Sequence, residues 1–285
     1  KPRTFEFGAN YSTDNGLGGS ISWLHRNLFG RGERLLLSGE SSFNDRRALA
    51  RMTFPNFLSN SQSLILQAQL THVDYDAYDG IVFGNIFGLP MAFRFDDTDN
   101  LLDPTKGVRI DLELTPYKGT GPRGAVMFAQ MTGRISTYWK PWENRKTVFA
   151  GWLKLGTVVG EDRHNIPANK RLYSGGGGSV RGFGFQRISP LDSSNDPIGG
   201  RSLVAFGVEA RFRITGNWGG VLFLEGGSVA ESILPSFSQP VRFGAGLGVR
   251  YYTSFGPIRL DLAFPLNRRR GDSAFQVYIS IGQAF

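Results

Sequence analysis

The chain has 285 residues, a formal net charge of +8, 38 glycines, 23 phenylalanines and no cysteine. The absence of thiols excludes a disulfide framework and a thiolate metal site. Three histidines without ligand spacing (His25, His72, His164), no apolar run of about 18 residues and basic residues interleaved with acidic ones give no support to zinc, a transmembrane helix or nucleic acid.

Strand alternation starts at Arg3, so the chain reads as a mature or trimmed piece. Phe5, Phe7, Ala9 and Tyr11 alternate with polar or small residues. Thr13-Asp14-Asn15-Gly16 then signals a tight hairpin, because Asn-Gly supplies positive φ. Ile21 and Trp23 continue on a second strand, and Leu35 and Leu37 on a third that ends in a turn at Asn44-Asp45. Ala48, Ala50, Met52 and Phe54 oppose Arg47 and Arg51. After a turn over 55–62, Leu64, Leu66, Ala68 and Leu70 share one parity. Residues 76–88 carry no clear pattern. Leu89, Met91, Phe93 and Phe95 precede a strong turn at Asp103-Pro104-Thr105-Lys106-Gly107. Val108, Ile110, Leu112 and Leu114 then oppose Arg109, Asp111 and Glu113. Two further strands carry Met127 and Met131, then Phe149, Leu153 and Leu155.

Residues 161–200 break the alternation. A loop of that length inside a compact domain is usually disordered or functional. Its centre, 171–190, reads RLYSGGGGSVRGFGFQRISP. Four glycines could make a plain linker. Arg181 set among Val180, Phe183 and Phe185 instead suggests a segment folded back, with one guanidinium delivered to a buried partner. No Lys-Thr or helix follows the glycines, so they fail as a nucleotide loop.

Beyond the loop the pattern sharpens. Val204, Phe206, Val208, Ala210 and Phe212 oppose Glu209, Arg211 and Arg213, and Leu222 and Leu224 oppose Phe223 and Glu225. Val241 to Tyr251 alternates with Arg242, three glycines and Arg250. Ile258, Leu260, Leu262 and Phe264 oppose Arg259 and Asp261. Phe275, Val277, Ile279 and Ile281 lead to Phe285.

A soluble sandwich would also alternate. Three features favour an all-β transmembrane antiparallel up-and-down β-barrel. There are about fourteen strands by pattern, many for one sandwich. The polar parity is charged, as a wet lumen requires. Tyr11, Trp23, Tyr138, Trp139, Trp142, Tyr251 and Tyr252 lie near strand ends, as interfacial girdles do. Residues 1–285 are read as one such domain, integral to a bacterial outer membrane. No Ser-His-Asp grouping, phosphate loop or metal cluster stands out, so neither an enzyme nor a cofactor or metal site is expected.

At Val180-Arg181-Gly182-Phe183 the chain resembles the BamA/TamA superfamily of outer-membrane insertases, with the TamA branch nearest. The resemblance continues through 219–227 (GGVLFLEGG), 256–261 (GPIRLD), the turn 97–107 and the aromatic-ended strand 275–285. It implies sixteen strands, upstream POTRA domains that lie outside these residues, and a lumen loop whose Arg181 meets an acid on the wall. Glu225 is the first choice of partner and Glu209 the second. Glu225 could instead neutralise Arg211 or Arg213. The resemblance also implies a seam between the first and last strands, at Phe5, Phe7, Gly8, Ala9, Val277, Ile279, Ile281, Gly282 and Phe285, which opens for a client strand. Expected partners are the lipid bilayer, client outer-membrane proteins or autotransporters, and a TamB-like inner-membrane-anchored protein. A two-partner-secretion-type transporter or a passive pore remains the alternative.

Overall fold

The computed structural model describes residues 2–12, 16–41, 45–77, 80–121, 123–142, 147–236, 239–254 and 256–285. Among them are fifteen strands: β1 (Arg3–Ser12), β2 (Gly16–Arg26), β3 (Arg34–Ser41), β4 (Asp45–Pro55), β5 (Gln62–Ala77), β6 (Gly80–Gly88), β7 (Met91–Asp96), β8 (Gly107–Gly121), β9 (Gly124–Trp139), β10 (Thr147–Val159), β11 (Ser202–Thr215), β12 (Trp218–Ala230), β13 (Arg242–Thr253), β14 (Gly256–Pro265) and β15 (Gln276–Ile281). The expected turn residues Thr13, Asp14, Asn15 and Asn44 lie outside the described residues, as do the side chains of Ala9 and Tyr11.

The chain divides into two compact units. The first comprises Lys1–Phe95, Asp111–Met131 and Val158–Arg171. In it, neighbouring strands run β1-β2-β3-β4-β5-β6-β8-β9, and β7 pairs with β5 beside that path. The stretch 76–88, which carried no clear pattern, holds the end of β5 and all of β6, which pair antiparallel in register from Gln69↔Gly88 to Ala77↔Gly80. Tyr117 stacks on Phe128 with ring centroids 4.9 Å apart, and the Lys170 ammonium lies over Tyr117. Val126 and Phe128 are buried while Met127 is exposed. Here the inward parity of β9 is itself apolar.

The second unit comprises Asp96–Ile110, Thr132–Thr157 and Leu172–Phe285. Its strands follow the order β9-β10-β11-β12-β13-β14-β15, and from β10 onward each is antiparallel to the next. Successive residues on a strand point to opposite faces, and the sequence uses this. On one face Val208, Leu222, Leu247, Leu260 and Ile279 are exposed. On the other, Glu209, Arg211, Glu225, Arg250, Arg259 and Asp261 are buried. This is the reverse of a water-soluble sheet, and an exposed apolar face on strand after strand is the surface that lipid would wet.

The turn from β7 to β8 is built by carboxylates. Asp99 accepts from the Thr105 hydroxyl and N–H (2.6 and 2.8 Å) and from the Lys106 N–H (3.2 Å). Asn100 accepts from the N–H groups of Leu102 and Asp103. Gly107 closes it at φ +104°, with the backbone of Asp97 and Thr98 where a Cβ would stand.

Three expectations need correction. Tyr138 and Tyr252 are not girdle residues: both are buried on the charged face, where Arg211 lies over the Tyr138 ring and Arg213 over that of Tyr252. Trp139, Trp142 and Tyr251 do stay on the exposed side. The last strand ends at Ile281 instead of running to Phe285, because Gly282 takes φ +87° and turns the chain away. Phe185 is exposed and takes no part in packing around Arg181.

Candidate functional site

Between β10 and β11 the chain makes no further strand. From Leu172 onward this loop folds onto the charged face of the second unit. Isolated bridges at Leu172↔Gly200, Ser174↔Ile188 and Leu191↔Pro197 give it a hairpin-like frame. Arg269 ties it from the β14–β15 connection, donating to the carbonyls of Ser189 (3.0 Å) and Arg187. Glycines let the frame close: Gly175, Gly176 and Gly182 all have φ near +100°. At Gly182 a Cβ would also stand 2.9 Å from the Phe264 carbonyl carbon.

Arg181 sits at the tip with no exposure. Its Nη2 donates to Glu225 (2.6 Å) and Glu209 (2.7 Å), its Nη1 to Asp261 (2.8 Å) and its Nε to Glu225 (3.1 Å). The backbone N–H of the same residue donates to the second oxygen of Glu225 at 2.7 Å. The guanidinium lies over the Phe223 ring, 3.5 Å from its centroid. One planar fork thus engages three strands, β11, β12 and β14, which an ammonium could not do with the same geometry. Burial works against the charge of Arg181, but the carboxylates of Glu225, Glu209 and Asp261 outweigh it and hold the pKa above its ordinary value.

The neighbours extend the network. Arg211 pairs with Glu209 at 2.9 Å and Arg250 with Asp261 at 2.5 Å. Val180 and Phe183, on either side of the tip, are buried without exposure. The Tyr278 hydroxyl donates to the Phe183 carbonyl (3.0 Å) and accepts from the Gly182 N–H (3.2 Å). Close approach depends on glycines of the wall. A Cβ at Gly244 would collide with the Arg181 carbonyl oxygen, and one at Gly227 would come within 3.0 Å of Val180.

Val180, Arg181, Gly182 and Phe183 therefore stand together with Glu225 and Glu209. Asp261, Tyr278 and Phe223 complete the site and were not singled out from sequence as partners. Asp261 had a legible signal in its parity, shared with Arg259. The proposed seam residues are placed separately. In the first unit β1 pairs with β2, and Phe7 is 78 % exposed; Gly8 faces the Ser20 hydroxyl, which would crowd a Cβ. In the second unit Val277, Ile279 and Ile281 lie on the exposed face of β15, which pairs with β14. Phe285 is elsewhere. Its ring lies 6.0 Å from that of Trp152 and 6.3 Å from that of Tyr138, and its carbonyl oxygen accepts from Arg211 at 3.0 Å.

The Omp85 superfamily domain matches residues 82–285. Among curated proteins, the chain is 27% identical over 304 residues to the chloroplastic outer envelope protein 80 of Arabidopsis thaliana, covering 88% of this chain and 41% of that protein. It is 24% identical to the outer membrane protein assembly factor BamA of Nitratidesulfovibrio vulgaris, covering 98% of this chain and 41% of that protein. The chain thus spans less than half the length of these relatives. Among solved structures, BamA of Haemophilus ducreyi lacking POTRA domains 1–3 superposes with a TM-score of 0.68 at 18% identity, covering 97% of this chain and 69% of that one. At that identity the likeness gives the fold alone, an antiparallel transmembrane β-barrel.

Proposed function

Because the chain belongs to the Omp85 superfamily, we propose that it is the membrane barrel of a factor that inserts or translocates client proteins at the outer membrane. The observation that carries this reading is the buried lock: Arg181 held by Glu209, Glu225 and Asp261 fastens the segment from Leu172 to Gly200 to the charged face. A passive pore gains nothing from a loop fixed there by desolvated charges, which cost several kcal/mol each to bury before they are paired. An assembly factor has use for a rigid inner brace, because its own edge strands must be free to exchange partners. An unpaired strand edge is a template for another strand.

Within the superfamily the TamA-like role is the finer reading, with autotransporters among the clients and a TamB-like inner-membrane-anchored partner. It rests on the sequence resemblance at Val180-Arg181-Gly182-Phe183 and at 256–261. Client strands would add by hydrogen bonding along β1 or β15. The test uses the full-length protein in liposomes with a radiolabelled autotransporter, and photo-crosslinkers placed singly at Phe7 and at Ile279. Client insertion with crosslinks from either edge is the expected result. Large steady conductance with no client insertion would instead mark a pore, and secretion of a soluble partner without insertion a two-partner transporter.

A further inference from the structure

On the exposed apolar face of the first unit, small side chains gather on β3, β4 and β5. Register partners run across that face in rows. One row is Ile21↔Gly39↔Ala48↔Leu70, continued to Phe87, and the next is Leu37↔Ala50↔Ala68. Gly39, Ala48, Ala50 and Ala68 form a floor, and the exposed side chains of Ile21, Leu37, Leu70 and Phe87 stand beside it. Two cavities of about 480 and 410 Å³ open there and share Ile21, Gly39, Ala48 and Leu70. They make one groove along the strands. From Arg46 to Ala50 it runs about 13 Å, at about 3.3 Å per residue.

One end of the groove is apolar and the other is not. The row that closes it reads Gly19↔Ser41↔Arg46↔His72↔Asn85. Arg46 shares the parity of Ala48 and Ala50, so it stands on the face that lipid would wet, where a charge is costly without a partner. It is exposed and has no ion-pair partner among the described residues. Glu40, the nearby acid, pairs with Arg47 on the opposite parity. His72 Nδ1 lies 3.0 Å from Asn85 Oδ1, so further hydrogen-bonding groups flank the arginine.

We infer that this groove binds one membrane lipid with an anionic, phosphate-bearing headgroup. An acyl chain lies over Gly39, Ala48 and Ala50, and the phosphate meets Arg46. A guanidinium fork suits two phosphate oxygens. A groove surrounds the chain on more sides than a flat wall does, and its dispersion contacts add up. The site goes beyond the proposed insertion role and needs only that this face is immersed in a bilayer.

Native mass spectrometry reads the bound lipid directly. The full-length protein is released from detergent micelles titrated with dioleoyl phosphatidylglycerol or dioleoyl phosphatidylcholine. A single retained phosphatidylglycerol is expected, bound about fivefold more tightly than phosphatidylcholine, which is the worth of one basic residue at an anionic lipid surface. Arg46→Gln is expected to bring the two lipids to equal affinity. Gly39→Val fills the groove without a clash, because a Cβ there meets only Ile21 Cγ2, at 3.8 Å. It is expected to remove the retained lipid, and Ala48→Leu does the same should the valine variant not fold, as judged by the heat-modifiable gel shift. Equal affinity for the two lipids in the parent protein would overturn the assignment. So would selectivity kept in Arg46→Gln, or a lipid retained unchanged in a folded groove-filling variant. A mass of two chains in place of the lipid adduct would make the groove an interface between copies and overturn it as well.

Discussion

Replacing Arg181 with alanine is the perturbation whose size follows most directly from the geometry. Unit charges about 4 Å apart attract by roughly 4 kcal/mol at the effective dielectric of a protein, so three broken contacts would seem to total far more. The network limits the loss. Glu209 keeps Arg211 at 2.9 Å and Asp261 keeps Arg250 at 2.5 Å, so the carboxylate left without its cation is Glu225. Stranding one buried charge costs about 3–5 kcal/mol. Folding stability is measured by urea titration of the purified barrel in lipid vesicles, following the heat-modifiable gel shift. Arg181→Ala is expected to lose about 3–5 kcal/mol, and Glu225→Gln added to it to recover about 1–3 kcal/mol, since a neutral amide no longer needs the cation. Arg181→Lys is expected to fall between, because an ammonium cannot span three strands. An unchanged urea midpoint in Arg181→Ala, with the loop still resistant to protease, would refute the reasoning.

Further outcomes follow from other contacts. Gly244→Ala places a methyl group against the Arg181 carbonyl and is expected to cost about 1–3 kcal/mol in the same urea assay, as overpacking does. Phe285→Ala removes a half-buried ring from between Tyr138 and Trp152; a loss of about 1–2 kcal/mol is expected in that assay, and none if the ring stays on the exposed face. Asp99 is exposed, and the slight desolvation it suffers would raise its pKa, but hydrogen bonds from Thr105 and Lys106 outweigh this and lower it below 3.8. Its contribution is therefore present above pH 3.8 and lost as pH falls through the lowered value. Hydrogen exchange should show the Thr105 and Lys106 amides protected at neutral pH and losing protection below about pH 3.8. Protection already lost above pH 3.8 would contradict this.

The sequence makes sidedness legible because strand parity is local. Glu209, Glu225, Arg211 and Asp261 could be assigned to the charged face from the alternation of their own strands. Register across strands is not local, which is why Asp261 went unread as the third partner of Arg181 even though its face was clear. The ladder of Gly244, Gly246 and Gly248 carried a signal that parity alone does not interpret: glycines on the buried face mark where another backbone or a charged pair must approach. Aromatic position misled at Tyr138 and Tyr252. Tyrosine near a strand end serves a lipid interface or an arginine-lined interior equally well, and the guanidiniums of Arg211 and Arg213 decide it. The inward turn of 282–285 depends on one positive φ at Gly282, a glycine that the family resemblance placed in the seam between the first and last strands.

The placement of the loop tip against β12 can be tested by one disulfide. An ideal Cβ at Gly227 lies 3.0 Å from Val180 Cγ2, close to the separation of about 3 Å between a Cβ and the far sulfur in a disulfide. The chain has no cysteine of its own to interfere. In Val180→Cys/Gly227→Cys, mild oxidation in native membranes is expected to give near-complete crosslinking, and adding Arg181→Ala to reduce it sharply. Little crosslinking with Arg181 intact, or equal crosslinking without it, would contradict an arginine-held loop on the inner face.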